Sequence, residues 1–297
     1  MTVRLRARRP AAAAAPTVVR DRDVVAGFLE DAAHVPGGCA AGVAFPRSEA
    51  EVAALVRDAA EVLPVGAQSS LPGGATPRGG LVLSTRALAD ITLLSPGRVR
   101  AGAGVTLAVL QRALAARGLY FPPVPTYDGA FVGGTIATNA AGAATFKYGT
   151  TRAWVEALTV VLADGSVLDV ERGHPAAAPS FVVETAGGRA VDVPLPSYRM
   201  PRVPKCSAGY YSADGACDPI DLFIGSEGTL GVVVSATLRV IPRPRLAVAL
   251  VPCAGDAAAI GLTSALRAAP AVDVAGVEYV DAQALALLDE SAFARAG

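Results

Sequence analysis

Gly66-Ala67-Gln68-Ser69-Ser70-Leu71-Pro72-Gly73-Gly74 is the stretch on which the reading of this chain turns. Small residues let a backbone approach a ligand closely and aim several N–H groups at one anion. Ser69 and Ser70 add hydroxyl donors, and no acidic side chain opposes a phosphate. The run is neither Gly-x-Gly-x-x-Gly opening a helix nor a loop ending in Gly-Lys-Ser/Thr. Pro72 and Pro77 disfavour a helix starting here. A Gly/Ser run alone is more often an ordinary turn, so its meaning comes from its neighbours.

Upstream, Asp21 to Ala33 carries Val24, Val25, Phe28 and Leu29 at helical spacing, stopped by Pro36-Gly37-Gly38. Val43 to Phe45 reads as a short strand. Ser48 and Glu51 then form a capping box before a helix whose face is Val52, Leu55, Val56 and Ala59. Pro64-Val65 enters the loop as a strand. The order is strand, helix, strand, with the loop at a carboxyl end, where open α/β sheets bind ligands. Downstream, Leu81 to Leu83, Ile91 to Leu94 and Arg98 to Ala101 read as strands. Thr106 caps a helix with Leu107, Leu110 and Leu114 on one face, ended by Gly118.

Phe121 to Arg152 is long and lacks a clean period, which in a compact domain points to binding. It contains Pro125-Thr126, then Gly133-Gly134-Thr135-Ile136-Ala137-Thr138-Asn139, then Gly142, then Lys147-Tyr148-Gly149. Such small residues let a planar ring lie on backbone, while a Gly/Ala packing segment is the plain alternative. Trp154 to Leu162 and Val167 to Val170 form a hairpin through Asp164-Gly165. Residues 173–200 read as an insertion with a hairpin of its own at Gly187-Gly188. Lys205 to Tyr210, Ile224-Gly225-Ser226-Glu227-Gly228-Thr229-Leu230-Gly231-Val232 and a strand to Ile241 follow. Lys147 and Lys205 are the only lysines, and a compact ammonium suits a phosphate or a reduced ring as a point charge. From Arg245 a strand (246–251), a helix (256–267), a strand (274–280) and a helix (282–288) are expected.

The totals bound the answer. At 297 residues the chain holds one large core or two modest ones. Basic and acidic residues balance at 26 each, which gives no electrostatic footprint for nucleic acid. No apolar run is long enough for a membrane span. Cys39, Cys206, Cys217 and Cys253 show no metal-ligand spacing and read as free thiols of a reducing, cytoplasmic compartment. Residues 1–20, basic at the start and alanine-rich, read as a loose tail. His34 and His174 lack partners at ligand spacing, so no metal is expected.

Taken in order, Gly66 to Gly74, Gly133 to Gly149 and Ile224 to Val233 resemble the FAD-linked oxidases and dehydrogenases of the vanillyl-alcohol oxidase superfamily. These share the PCMH-type FAD-binding domain. The branch is similar to D-lactate dehydrogenase, glycolate oxidase and D-2-hydroxyglutarate dehydrogenase. The resemblance runs from about Val43 to Pro244. It implies an α+β fold of two α/β subdomains with FAD between them, plus a truncated ferredoxin-like cap. The implied bounds are 21–244 for the FAD-binding domain, with a subdomain break near 103–130, and 245–297 for a partial cap.

The resemblance further implies non-covalent FAD, since no histidine stands where some relatives tether it. Gly66, Ala67, Gln68, Ser69, Ser70 and Leu71 would hold the pyrophosphate. Pro125, Thr126, Gly133, Gly134, Thr135, Ala137, Thr138 and Asn139 would line the ring. Gly142, Lys147, Tyr148, Gly149, Glu227, Gly228, Gly231 and Val232 would close around the cofactor. Gln68 and Pro72 depart from the family pattern. The implied reaction is hydride transfer from a 2-hydroxy acid to flavin, with FAD bound but little turnover in this chain. In that branch a catalytic histidine and often a metal sit in a His- and Asp-rich cap motif, and no such motif is present. The leucines of the cap helices (Leu262, Leu266, Leu285, Leu288) would be left uncovered. Open alternatives are a non-catalytic FAD subunit of a larger oxidase, an alcohol or sugar substrate, and a generic nucleotide-binding protein. A homodimer or a partner oxidase subunit is the expected assembly.

Overall fold

Period-two alternation decides the first element. In Val3-Arg4-Leu5-Arg6-Ala7 the apolar residues pack on the core while Arg4 and Arg6 face solvent, the pattern of a strand. In the computed structural model, which describes residues 3–287 apart from 96, 124, 178, 204 and 214, Arg4–Arg6 is β1. Val18–Val19 is β2. The loose tail expected over residues 1–20 is therefore corrected for the described part. Its arginines occupy the outer face of a paired strand.

Five elements build the first lobe: α1 (Arg22–Ala26), β3 (Gly42–Ala44), α2 (Glu49–Asp58), β4 (Val62–Val65) and β5 (Leu81–Ser84). Their sheet has the order β2-β3-β5-β4, with β3, β5 and β4 parallel and β2 antiparallel at the edge. α1 is shorter than the sequence period proposed. It stops at Gly27, and Phe28 turns into the core to meet Phe45 edge-on at 5.7 Å. At α2, Ser48 Oγ accepts from Glu51 N at 3.2 Å. The Glu51 carboxylate accepts from Arg47 N at 2.8 Å, one residue before the cap. The first bond satisfies an orphan donor of the first turn, and the second ties the residue before the cap to the helix.

The second lobe runs through β6 (Ile91–Ser95), β7 (Arg98–Gly102), α3 (Leu107–Ala115), β8 (Leu119–Tyr120), α4 (Val132–Ala137) and α5 (Thr145–Tyr148). It continues through β9 (Val155–Val161), β10 (Val167–Glu171), β11 (Ser180–Glu184), β12 (Ala190–Pro194), α6 (Ile220–Phe223), β13 (Val232–Arg239) and β14 (Ile241–Pro242). Its main sheet is antiparallel in the order β10-β9-β13-β7-β6. Since β6 and β7 belong to this sheet, the lobes change between Ser84 and Ile91 and not near 103–130. The hairpin pairing of β6 with β7 and of β7 with β13 outweighs their closeness in sequence to the first lobe. β11 and β12 form the expected hairpin of the 173–200 segment, and β1 adds to β11 in parallel. β14 pairs with β8.

Leu107, Leu110 and Leu114 of α3 are fully buried in the main core with Val99, Ile136, Leu158 and Leu238. A second cluster joins the lobes: Val52 and Leu55 of α2 and Leu83 of β5 pack on Val161, Val167, Val232 and Val234. That seam fixes the end of β4, where the glycine loop begins, against the start of β13.

Beyond Val240 no described residue is buried. α7 (Asp256–Ala268) and α8 (Ala282–Ala286) form, but the strands expected at 246–251 and 274–280 do not. A strand needs a ladder partner for its backbone groups, and these segments have none among the described residues; Val248 is 91% exposed. Leu288 lies outside the described residues.

Candidate functional site

A cavity of about 540 Å³ opens where the two lobes meet, within the usual range for ligand sites of roughly 300–1,000 Å³. All three glycine-rich stretches reach it. Gly66 to Leu71 line one wall; Pro125, Thr126, Gly133, Gly134, Thr135, Ala137, Thr138 and Asn139 line another; Glu227, Gly228, Gly231 and Val232 line a third.

The first wall is held open by bonds that leave its donors free. Gln68 sits at φ 51°, and its Nε2 donates to Phe28 O, Glu30 O and Ala75 O at 3.0, 3.3 and 3.0 Å. Asp31, 3% exposed, accepts from Ala33 N and Ala75 N at 3.1 and 3.0 Å. These side chains pin the two ends of the loop. Between them the N–H groups of Ala67, Gln68, Ser69, Ser70 and Leu71, and the hydroxyls of Ser69 and Ser70, meet no protein acceptor among the described residues. Consecutive unpaired N–H groups around one concavity form an anion nest. Gln68 is thus a brace, which explains a residue the family pattern made awkward.

The second wall is α4, a helix hidden in a stretch that showed no period. Gly133 is needed for packing, since a Cβ there would stand 2.7 Å from Ala103 Cβ. Gly134 differs. A Cβ there meets nothing within 4 Å and would enter the cavity. Gly66 and Gly134 lie back to back, with 3.7 Å between a Cβ on Gly66 and Gly134 Cα.

The third stretch completes α4 from its carboxyl end: Gly225 N donates to Ile136 O and Glu227 N to Ala137 O at 3.0 and 2.9 Å. Its placement depends on a buried ion cluster. Arg152 Nη1 and Nη2 donate to Asp221 O and Ile224 O, both at 2.5 Å. Arg172 holds both Asp221 carboxylate oxygens at 3.1 and 2.9 Å. Asn139, at φ 46° and 2% exposed, accepts Arg152 N on its Oδ1 at 3.0 Å. Its Nδ2 has no protein acceptor among the described residues, and Asn139 lines the cavity. Gln68, Asn139 and Glu227 are three of the four non-glycine residues with positive φ among the described residues, and all three line the cavity. Such strain persists where surroundings over-determine it.

Gly142, Lys147, Tyr148 and Gly149 do not line the cavity. Their turn faces the C-terminal segment: Lys147 Nζ pairs with Asp273 at 2.6 Å, Phe146 lies under Arg267, and Gly276 abuts Ala143. The Asp273 hydrogen bond raises the Lys147 pKa. Lining residues absent from the expected set include Thr85, Phe131, Lys205, Ser207 and Ser226. Lys205 and Ser207 belong to a loop noticed in the sequence, but nothing there showed that it folds over α4. Burial pushes the Cys217 thiol up to about 11, so it stays protonated and inert. His34 pairs with Glu30 on the surface, and no His/Cys/Asp/Glu cluster fit for a metal occurs among the described residues.

With this geometry in view, residues 40–171 match the family described as FAD binding domain. The chain is 37% identical over 209 residues to a D-lactate dehydrogenase of Archaeoglobus fulgidus, covering 68% of this chain and 39% of that protein. It is 29% identical over 258 residues to the glycolate oxidase subunit GlcD of Bacillus subtilis, covering 84% and 47%. It is 34% identical over 211 residues to a D-2-hydroxyglutarate dehydrogenase of Xanthomonas citri pv. viticola, covering 68% and 37%. The chain therefore spans less than half the length of these relatives. Among solved structures, an alkyldihydroxyacetonephosphate synthase shares the fold with a TM-score of 0.52 at 18% identity, over 70% of this chain and 33% of that one. The α+β class and FAD as cofactor follow from these matches. No helix among the described residues is long and apolar enough to cross a membrane.

Proposed function

We propose, for a chain that belongs to the FAD-linked oxidases and dehydrogenases with a PCMH-type FAD-binding domain, that it is the flavin-holding part of an enzyme oxidising a 2-hydroxy acid. The observation that carries this reading is the run of five N–H groups from Ala67 to Leu71 that meet no acceptor among the described residues, set beside the open face of Gly134. A dinucleotide with two phosphates and a planar ring needs those two surfaces side by side. FAD, when bound, supplies an acceptor for two electrons and a hydrogen nucleus.

The chain's own residues bind and orient. Ala67 to Leu71, with the Ser69 and Ser70 hydroxyls, hold the pyrophosphate; Gln68 and Asp31 keep that loop in shape. Pro125, Thr126, Gly134, Thr138 and Asn139 take the ring, and Glu227, Gly228 and Gly231 of the loop before β13, with Val232 at its start, close the cavity. Gly142, Lys147, Tyr148 and Gly149 brace the C-terminal segment and are withdrawn from the site. The relatives' names support a 2-hydroxy acid as substrate class. The four free cysteines support a reducing, cytoplasmic setting.

Anaerobic mixing of FAD-loaded protein with D-lactate, glycolate or D-2-hydroxyglutarate tests the substrate class. These are expected to bleach the flavin band, however slowly, ahead of matched alcohols and sugars. Equal or faster bleaching by an alcohol or sugar overturns it. A second reading, a flavin subunit that works inside a larger oxidase, is favoured by the apolar side chains left exposed at Leu246, Val248, Leu250 and Ile260.

A further inference from the structure

Residues 205–212 form no helix or strand, and among the described residues they make no backbone–backbone hydrogen bond. Side chains fasten them instead, at four points. Ser207 Oγ donates to Asn139 O, two residues past the end of α4, at 3.4 Å. Tyr210 Oη donates to Thr229 Oγ1 at 2.7 Å, since that hydroxyl gives its own proton to Ser226 O at 2.6 Å. The Tyr211 ring lies on the Arg152 guanidinium, whose Cζ is 4.3 Å from the ring centre. Ser212 Oγ donates to Pro196 O at 2.9 Å. A segment with no ladder and few attachments opens by itself while the rest of the fold stays closed.

The segment reaches both the second and the third wall of the cavity. Lys205 and Ser207 line the cavity with Asn139, and Ser226, behind the Thr229 bond, lines it as well. Tyr211 rests on a side chain that already joins those walls: Arg152 N donates to Asn139 Oδ1, and its guanidinium donates to Asp221 O and Ile224 O. We infer that residues 205–212 are a detachable strap that lifts for the cofactor to enter or leave, with Tyr211 as the positioning residue that seats it. This rests on the proposed function and adds the exchange step to it. Uptake and release then both scale with the fraction of molecules whose strap is lifted, so weakening an anchor raises the two rates together and moves affinity little.

The test loads the full 297-residue chain with FAD and follows release after dilution, and uptake on mixing, by flavin fluorescence. Tyr211→Ala is expected to speed both on the order of tenfold, the scale of one cation–π contact, with the melting temperature of the FAD-free chain unchanged. Tyr211→Phe keeps the ring on Arg152 and is expected to exchange FAD as the wild type does. Tyr210→Phe, which loses the bond to Thr229, is expected to raise both rates about threefold. FAD is expected to slow trypsin cleavage after Lys205 in the wild type, and Tyr211→Ala to relieve that protection. A yellow wild type whose exchange rates ignore both Tyr211→Ala and Tyr210→Phe overturns this inference alone. So does a variant that speeds release and leaves uptake unchanged, which would make Tyr211 a support of the cavity wall. A wild type that stays colourless with FAD overturns the proposed function along with it.

Discussion

α3 and α7 are written in the same way and end up differently. Each has leucines or isoleucine at helical spacing, and each forms. Leu107, Leu110 and Leu114 of α3 are fully buried, whereas α7 has no buried residue and Ile260 is 67% exposed. Period sets the helix; only a neighbouring layer sets burial. In residues 3–240 the neighbours are two sheets and the seam between them, and a cavity forms where the seam opens. In residues 243–287 no second layer buries the apolar side chains among the described residues.

Substitutions sharpen that contrast. Asp221→Asn leaves Arg152 and Arg172 facing each other without the carboxylate that both share, and breaking a buried pair costs about 3–5 kcal/mol. Leu110→Ala in the α3 core is expected to cost about 2–5 kcal/mol. Ile260→Ala on α7 should stay within about 0.5 kcal/mol. Urea unfolding of the three variants checks the order. A loss at Ile260 as large as at Leu110 would mean that α7 is packed in solution, and the contrast would fail.

A smaller effect comes from the strap that crosses the lobes. Arg8 pairs with Glu49 at the start of α2 and with Asp169 of β10, each at 2.7 Å. Burial alone would lift the Asp169 carboxyl, but hydrogen bonds from Arg8 and Thr159 outweigh it and hold the pKa below the ordinary carboxylate value. A carboxylate depressed on folding adds stability above its unfolded pKa, near 3.9, and loses it as pH falls through the folded value. Arg8→Ala should therefore narrow the stability difference between pH 6 and pH 3 by a modest amount, since the pair is half-exposed. Thermal melts at the two pH values check this, and an unchanged difference would remove Arg8 from the account.

How much of this was legible beforehand follows from where the determining interactions lie. Ser48 with Glu51, and Thr106 with its three leucines, are local, and both read correctly. The cavity-lining loops were legible because glycine and serine at such density have few structural uses. α4 was missed because Val132 to Ala137 is too short and too glycine-rich for a period. Its helix is held from outside by Gly225 and Glu227. β1 was missed because six arginines within the first twenty-two residues read as composition before they read as alternation. The turn from Gly142 to Gly149 lies outside the cavity lining, and only its tertiary contacts with Asp273 and Gly276 show which way it faces.

The central claim is that the walls at Ala67–Leu71 and Gly134 together hold FAD. The most direct measurement is titration of the purified chain with FAD and, separately, ADP, beside a Gly134→Leu variant whose Cβ meets nothing within 4 Å. The account predicts a yellow wild type that prefers FAD to ADP, and a folded, colourless variant with the same circular dichroism and melting temperature. A variant that binds FAD as tightly as the wild type, or a wild type indifferent to the flavin half of the dinucleotide, would contradict it.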